Sequence, residues 1–159
     1  MYSRLINSLK KHLTEATADL KLVAQSDGGD ILVPPRIWTG DLPPKKKNGS
    51  VREIPCVVIV PFSGHMDSEQ FSCAAIALIC CVYNPEDGDS TGGETDLAAL
   101  ISKVSGALYP ASQGVPLAGR YILGPDLSGR LLHWEKGDTQ PRPFLQATIT
   151  SHWSYKGWE

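Results

Sequence analysis

Two apolar runs in the middle of the chain constrain its fold more than any other feature. The run at 56–60 is short and rich in β-branched residues, and the run at 71–83 is longer. Both runs predict strands. The second run is apolar on both faces, whereas a half-exposed sheet carries polar residues on one of them. We therefore expect helices to cover one face and another subunit the other, with a wholly internal strand as the alternative. The two predicted faces are Ala74, Ile76, Leu78 and Val82, and Phe71, Ala75, Ile79 and Tyr83.

Two other segments predict amphipathic helices. Apolar residues recur at alternating spacings of four and three from Tyr2 to Val23, and the acidic turn at 27–30 is expected to end this helix. This apolar stripe covers only about three heptads, so packing of the helix on a sheet is favoured over a free coiled coil. The second helix is predicted at about 94–108, with Glu94 and Asp96 at the positive end of its dipole.

The remaining strands are shorter or lie near the end. Residues 31–33 predict an edge strand stopped by Pro34 and Pro35, and residues 63–69 predict a polar turn. Residues 121–123 and 131–134 predict two strands around a hairpin turn at 124–129. The last strand is predicted from Phe144 to about Tyr155, because apolar and polar residues alternate there. The sequence thus predicts one α+β domain over 1–159, with a mostly antiparallel sheet of about four to five strands and two helices packed on one face.

Composition limits the classes of partner. The formal net charge is -2, so no global field draws the chain to DNA or anionic lipid. The longest apolar stretch is too short for a membrane-spanning helix of roughly 20 residues, and the N-terminus lacks a signal-peptide core, so we expect no membrane partner and synthesis in a cytosol. The four cysteines all lie in apolar runs, where a thiol acts as a small hydrophobe rather than as part of a disulfide framework.

A Pro- and Lys-rich arm is predicted at about 34–55. It contains the strongest charge run of the chain and carries few predicted core contacts, which suits partner binding. One interpretation is an arm that docks on an acidic neighbouring subunit or approaches DNA, and the alternative is a solvated loop. The candidate contact residues are Lys45, Lys46, Lys47, Arg52 and Trp38.

No segment predicts catalytic, cofactor-binding or metal-binding residues. Residues 87–92 begin like a calcium loop, but the twelfth position is Ala98 instead of a bidentate Glu. Residues 124–131 have the glycine spacing of a phosphate loop without its Lys and hydroxyl residue. A small metal enzyme that uses His65 and Asp67 is the alternative from another functional class, although no third ligand is evident.

The order of segments forms a wider pattern. An N-terminal helix is followed by Gly40-Asp41-Leu42-Pro43-Pro44-Lys45 before the strand at 55–60, and the long strand ends in Cys81-Val82-Tyr83-Asn84. A loop then leads into the helix at Asp96-Leu97, and the pattern closes with Leu132-His133-Trp134-Glu135, Pro141-Arg142-Pro143-Phe144 and the strand at 148–153. In this order, over most of its length, the chain resembles the tail terminator (tail completion) proteins of long-tailed bacteriophages.

The resemblance implies a structural virion protein from a phage or prophage. Such a subunit forms a homo-hexameric ring on the head-proximal end of the tail tube, stops tube polymerisation, and presents a surface to the head completion or neck protein. It implies no catalysis and no cofactor, and DNA would pass through the ring without specific binding. The implied location is the virion tail, after assembly in the cytoplasm of the bacterial host. The alternative is another head–tail joining protein, such as a head-closure or connector subunit.

Overall fold

The computed structural model of the chain describes residues 2–26, 28–40, 54–83, 91–137 and 144–156. Two helices and eight strands make up an α+β fold, which confirms the predicted class. No helix within these ranges is long and apolar enough to cross a membrane. The elements are α1 (Ser3–Ala16), β1 (Leu22–Ser26), β2 (Gly29–Val33), β3 (Arg36–Thr39), β4 (Cys56–Met66), β5 (Phe71–Tyr83), α2 (Thr91–Leu108), a 3-10 helix (Tyr109–Ser112), β6 (Ile122–Gly124), β7 (Leu132–Lys136) and β8 (Phe144–Lys156).

The main sheet has six strands in the order β3-β4-β5-β8, with β6 and β7 both beside β8. Every neighbouring pair is antiparallel except β3 and β4. The long strand β5 has the predicted bounds and lies at the centre, because its two apolar faces can be buried only in the middle of a sheet. The strands β1 and β2 form a separate two-stranded hairpin.

Both helices pack on one face of the sheet, as predicted. Leu5, Leu9 and Leu13 of α1 are fully buried, and they share one apolar core with α2 and with the alternate residues of β5 and β8 that face the helices. The two helices also bond to each other, since Nε2 of His12 lies 2.7 Å from the carbonyl oxygen of Ala107. We call this the helix side of the sheet and the opposite face the outer face.

The first helix is shorter than its apolar spacing predicted. It ends at Ala16, where the hydroxyl of Thr17 donates to the carbonyl oxygen of Leu13 at 2.7 Å. The predicted helical residue Val23 instead lies in β1, opposite Leu32 of β2. Gly29, whose φ is 112°, lies at the turn of this hairpin, so the glycines that were expected to end a helix connect two strands.

The predicted polar turn at 63–69 is also shorter than expected. The strand β4 continues to Met66 after an irregularity between Pro61 and Ser63, where the missing N–H of proline interrupts the ladder. The turn itself is held by Asp67, whose carboxylate accepts hydrogen bonds from the backbone N–H groups of Glu69 and Phe71, both at 2.9 Å.

The prediction of a hairpin at 121–134 was wrong. Strand β6 pairs with β8 from Ser154 to His152, and β7 pairs with β8 from Ser151 to Ala147. The two strands therefore lie end to end along the same edge of β8. The segment between them loops out of this interrupted edge strand. A hairpin was expected because a polar, glycine-containing turn separates two short apolar runs, and sequence patterns do not say which strand each run pairs with.

Candidate assembly surface

The outer face is apolar where β3, β4 and β5 meet. A second cluster of buried residues forms there, separate from the core under the helices. Its four buried members are at most 9% exposed, so the outer face carries a second packed apolar cluster with partly buried residues around it. Its buried members are Ile54, Cys56, Val58 and Cys81, and its partly buried members are Trp38, Val60, Ile79, Tyr83 and Phe144.

The character of the outer face changes towards β8. The side chains that β8 presents on this face are half-buried, and beyond Phe144 they are polar. They alternate with a buried series on the helix side that is apolar, as the sequence predicted, except at Ser151. The outer face therefore has an apolar half over β3, β4 and β5 and a polar half over β8. The outer-face residues of that polar half are Gln146, Thr148, Thr150, His152 and Ser154.

Two cysteines face each other inside the apolar half. Cys56 of β4 is the direct cross-strand partner of Cys81 of β5, and both are almost fully buried. A hydrogen bond from Cys56 lowers the pKa of the Cys81 thiol, against the raising effect of burial. Cys80 points to the helix side, where burial raises its pKa to about 12. All four cysteines lie in the described ranges and none is in a disulfide; Cys56, Cys80 and Cys81 are buried as small core residues, and Cys73 is half-buried.

The structure locates one of the predicted contact residues and corrects the start of the predicted arm. Trp38 lies in β3, because Arg36–Thr39 pairs with β4 instead of starting an extended arm. Its indole nitrogen is buried and has no hydrogen-bond partner. The other four predicted contact residues fall outside the described residues, so the arm remains a prediction. They are Lys45, Lys46, Lys47 and Arg52.

His65 and Asp67 are the residues considered as candidate metal ligands. His65 is exposed on β4, and the Asp67 carboxylate is taken up by the turn that follows. Within the described ranges, no group of three or more His, Cys, Asp or Glu side chains could hold a metal ion. The segment resembling a calcium loop, residues 87–92, reaches the described chain only at its end.

The glycine-flanked loop between β6 and β7 is organised around Asp126. Its carboxylate accepts hydrogen bonds from the backbone N–H groups of Ser128 and Arg130 at 2.8 and 2.9 Å, and from the Ser128 hydroxyl at 2.7 Å. The guanidinium of Arg130 adds an ion pair at 3.1 Å. These partners, with the Ser128 hydroxyl contributing most, hold the pKa of Asp126 well below its usual range. The loop is therefore closed by its own carboxylate, which leaves no anion-binding cradle there.

Sequence reasoning missed two features of the structure. The first is the β1–β2 hairpin, whose Ile31 and Leu32 are 49% and 66% exposed. Two short apolar runs separated by glycines are a hairpin signal that could have identified it. The second is the cross-strand contact of Cys56 with Cys81, which depends on the register of β4 against β5 and has no local signal.

No family model matches the sequence, and no curated protein matches it significantly.

Proposed function

We propose that the chain is a structural virion protein that caps the head-proximal end of a phage tail tube as a homo-hexameric ring. In this role it stops tube polymerisation and offers a surface to the head completion protein. The proposal takes its specific content from the resemblance in segment order, and the α+β fold with two helices on one face is compatible with it. The chain works by assembly in this proposal, with self, tube protein and neck protein as partners and with DNA passing through the ring.

The observation that carries the proposal is the apolar half of the outer face. Val60, Ile79 and Tyr83 are only partly buried there, although they pack against buried neighbours. Apolar side chains that keep part of their surface accessible on one face of a sheet become more fully buried when another protein packs there. A sheet with helices on one face and apolar residues on the other is what a subunit needs when a second protein completes its packing.

The test is the polymerisation of purified tail tube protein, with and without this chain, followed by electron microscopy of tube length and tube ends. We expect shorter tubes with an added ring at one end. The variant Ala77→Lys introduces a charge into the outer face beside Val60, and it should abolish capping. The matched control Ala18→Lys, at an exposed position after α1, should cap like the wild type.

The same assay separates the proposed role from that of another head–tail joining protein. A head-closure or connector subunit would bind the portal-side protein and leave tube length unchanged. Tubes of normal length together with retention on immobilised portal-side protein would therefore replace the tail terminator proposal with this alternative. Tubes of normal length, together with no binding of the chain to portal-side protein, would rule out both proposed roles.

A further inference from the structure

The two outer edges of the main sheet have no strand beside them within the described ranges. Among the described strands, β3 at one end pairs only with β4, and β7 at the other pairs only with β8. Such edges present backbone N–H and C=O groups to any strand that approaches. A ring needs one subunit surface that fits a different surface of the next copy, and two unlike edges of one sheet meet that requirement.

A groove of about 840 Å³ lies beside β3. Three consecutive residues of β3 line it, Arg36, Ile37 and Trp38. Because successive side chains of a strand point to opposite faces, a groove that contacts three in a row must reach the edge of the strand. The other walls come from α1 and from the β1–β2 hairpin, with Ile31 and Val33 as apolar lining.

The β7 edge carries side chains of matching character. Trp134 lies opposite Ile149, so it points to the helix side, and it is 56% exposed. Glu135 lies opposite Thr148 on the outer face, and 77% of its side chain is exposed. Tryptophan is enriched among the residues that contribute most of the binding energy of an interface, and an exposed carboxylate beside it can select a partner by its charge.

The charges at the groove are complementary to this edge. Lys10 and Arg36 line the groove, and none of the lining residues that the structure describes is acidic. Arg36 lies opposite Cys56 and therefore points to the outer face, the same face as Glu135. The groove lies next to α1 on the helix side, the side to which Trp134 points. Both side chains of β7 thus meet suitable partners if two sheets join edge to edge with their helix sides aligned.

We propose that β7 of one copy pairs with the outer edge of β3 of the next copy, with Trp134 in the groove beside α1 and Glu135 facing Arg36. This inference rests on the proposed ring and names the contact that closes it. Within one sheet, β7 runs antiparallel to β3. If neighbouring copies are related by a rotation about an axis parallel to the strands, each strand keeps its direction. The β7 strand of one copy then pairs with β3 of the next as an antiparallel pair. Edge pairing leaves the outer face available to the tube or neck protein.

The test uses charge reversal and light scattering over a concentration series. Arg36→Glu and Glu135→Arg should each raise the midpoint concentration of assembly roughly tenfold or more, because like charges then meet at every contact. Mixed in equal amounts, the two variants should assemble at the wild-type concentration, since alternating copies place opposite charges at every contact. The controls Lys21→Glu and Glu69→Arg reverse charges at exposed positions outside both edge strands and outside the described lining of the groove, so they should assemble like the wild type.

A second pair of variants tests the aromatic anchor. Trp134→Ala should weaken assembly, whereas Tyr109→Ala, which removes an equally exposed aromatic ring from the 3-10 helix, should not. Circular dichroism confirms that each variant is folded, as the exposure of these side chains leads us to expect.

The outcomes separate this inference from the proposed function. The edge contact alone is overturned if the rings cap tubes but assemble normally with either charge reversal. It is also overturned if the two charge-reversed variants fail to restore assembly when they are mixed. Charge-sensitive rings that leave tube length unchanged overturn the capping function alone. A wild-type chain that stays monomeric at every concentration, with no capping of tubes, overturns both.

Discussion

The indole N–H of Trp153 donates a hydrogen bond to the hydroxyl of Ser151 at 2.9 Å, in the buried interior between β8 and the helices. The same hydroxyl donates to the carbonyl oxygen of Ile76 on β5, also at 2.9 Å. Ser151 therefore allows a large aromatic side chain to be fully buried with its polar atom satisfied, and it adds a side-chain link between the two central strands.

Ser151→Ala should lower the free energy of unfolding by about 1–3 kcal/mol, because it leaves the buried indole N–H without an acceptor. Urea unfolding followed by tryptophan fluorescence measures the change. The control Ser154→Ala removes a half-exposed hydroxyl from the outer face of the same strand and should stay within about 0.5 kcal/mol of the wild type. An equal loss of unfolding free energy in the two variants would show that the buried hydrogen bond does not stabilise the fold more than an outer-face hydroxyl does.

The two helices are joined near their ends by His12 and the carbonyl oxygen of Ala107, 2.7 Å apart. A carbonyl accepts, so Nε2 of His12 must carry the proton in this contact. His12→Ala should cost about 1 kcal/mol of unfolding free energy and speed amide exchange at the end of α2. Lys11→Ala, on the neighbouring exposed position, serves as the control. Unchanged exchange at the end of α2 would contradict the role of this contact.

Asp126 should give the loop between β6 and β7 a defined pH dependence. Its folded pKa lies below the ordinary value of 3.8, so its stabilising effect is present above that pH and is lost as the pH falls through the folded pKa. NMR titration of the carboxyl group measures the pKa, and amide exchange at Ser128 and Arg130 measures loop opening. Asp126→Asn should speed this exchange at neutral pH and remove its acid dependence, whereas Glu69→Gln should change neither. An Asp126 pKa at or above 3.8 would refute this account.

The predicted arm can be tested by charge as well. Replacing Lys45, Lys46 and Lys47 with Glu should preserve the circular dichroism spectrum and weaken assembly or virion yield, because an acidic docking surface would then repel the arm. The corresponding Gln variants should give a smaller loss. The control Lys11→Glu with Lys21→Glu reverses two exposed charges elsewhere. Assembly and yield unaffected by the Glu substitutions would remove the arm from the proposed contacts.

Elements with a long, regular pattern were predictable from the sequence. The strand β5 has its predicted bounds, β8 ends one residue later than expected, and α2 ends at Leu108 as predicted. These elements bury one or both faces, so their own residues encode their length. The helix α1 was overestimated because the apolar spacing continues by coincidence into β1, after Thr17 has already ended the helix.

The features that depend on distant partners were not predictable. The end-to-end arrangement of β6 and β7 is determined by pairing with β8, and no local signal distinguishes it from a hairpin. The groove beside β3 likewise requires the hairpin, α1 and β3 to come together in the fold. The apolar character of the outer face could be predicted from β5 alone, because the residues on both its faces are apolar, whereas the expected cover by another subunit remains a prediction.

Molar mass from light scattering over a concentration series tests the central claim most directly. A closed ring should give a concentration-dependent rise from one chain to about six chains, without growth beyond the ring. A constant monomer mass at every concentration, in the presence of tail tubes as well as in their absence, would contradict it.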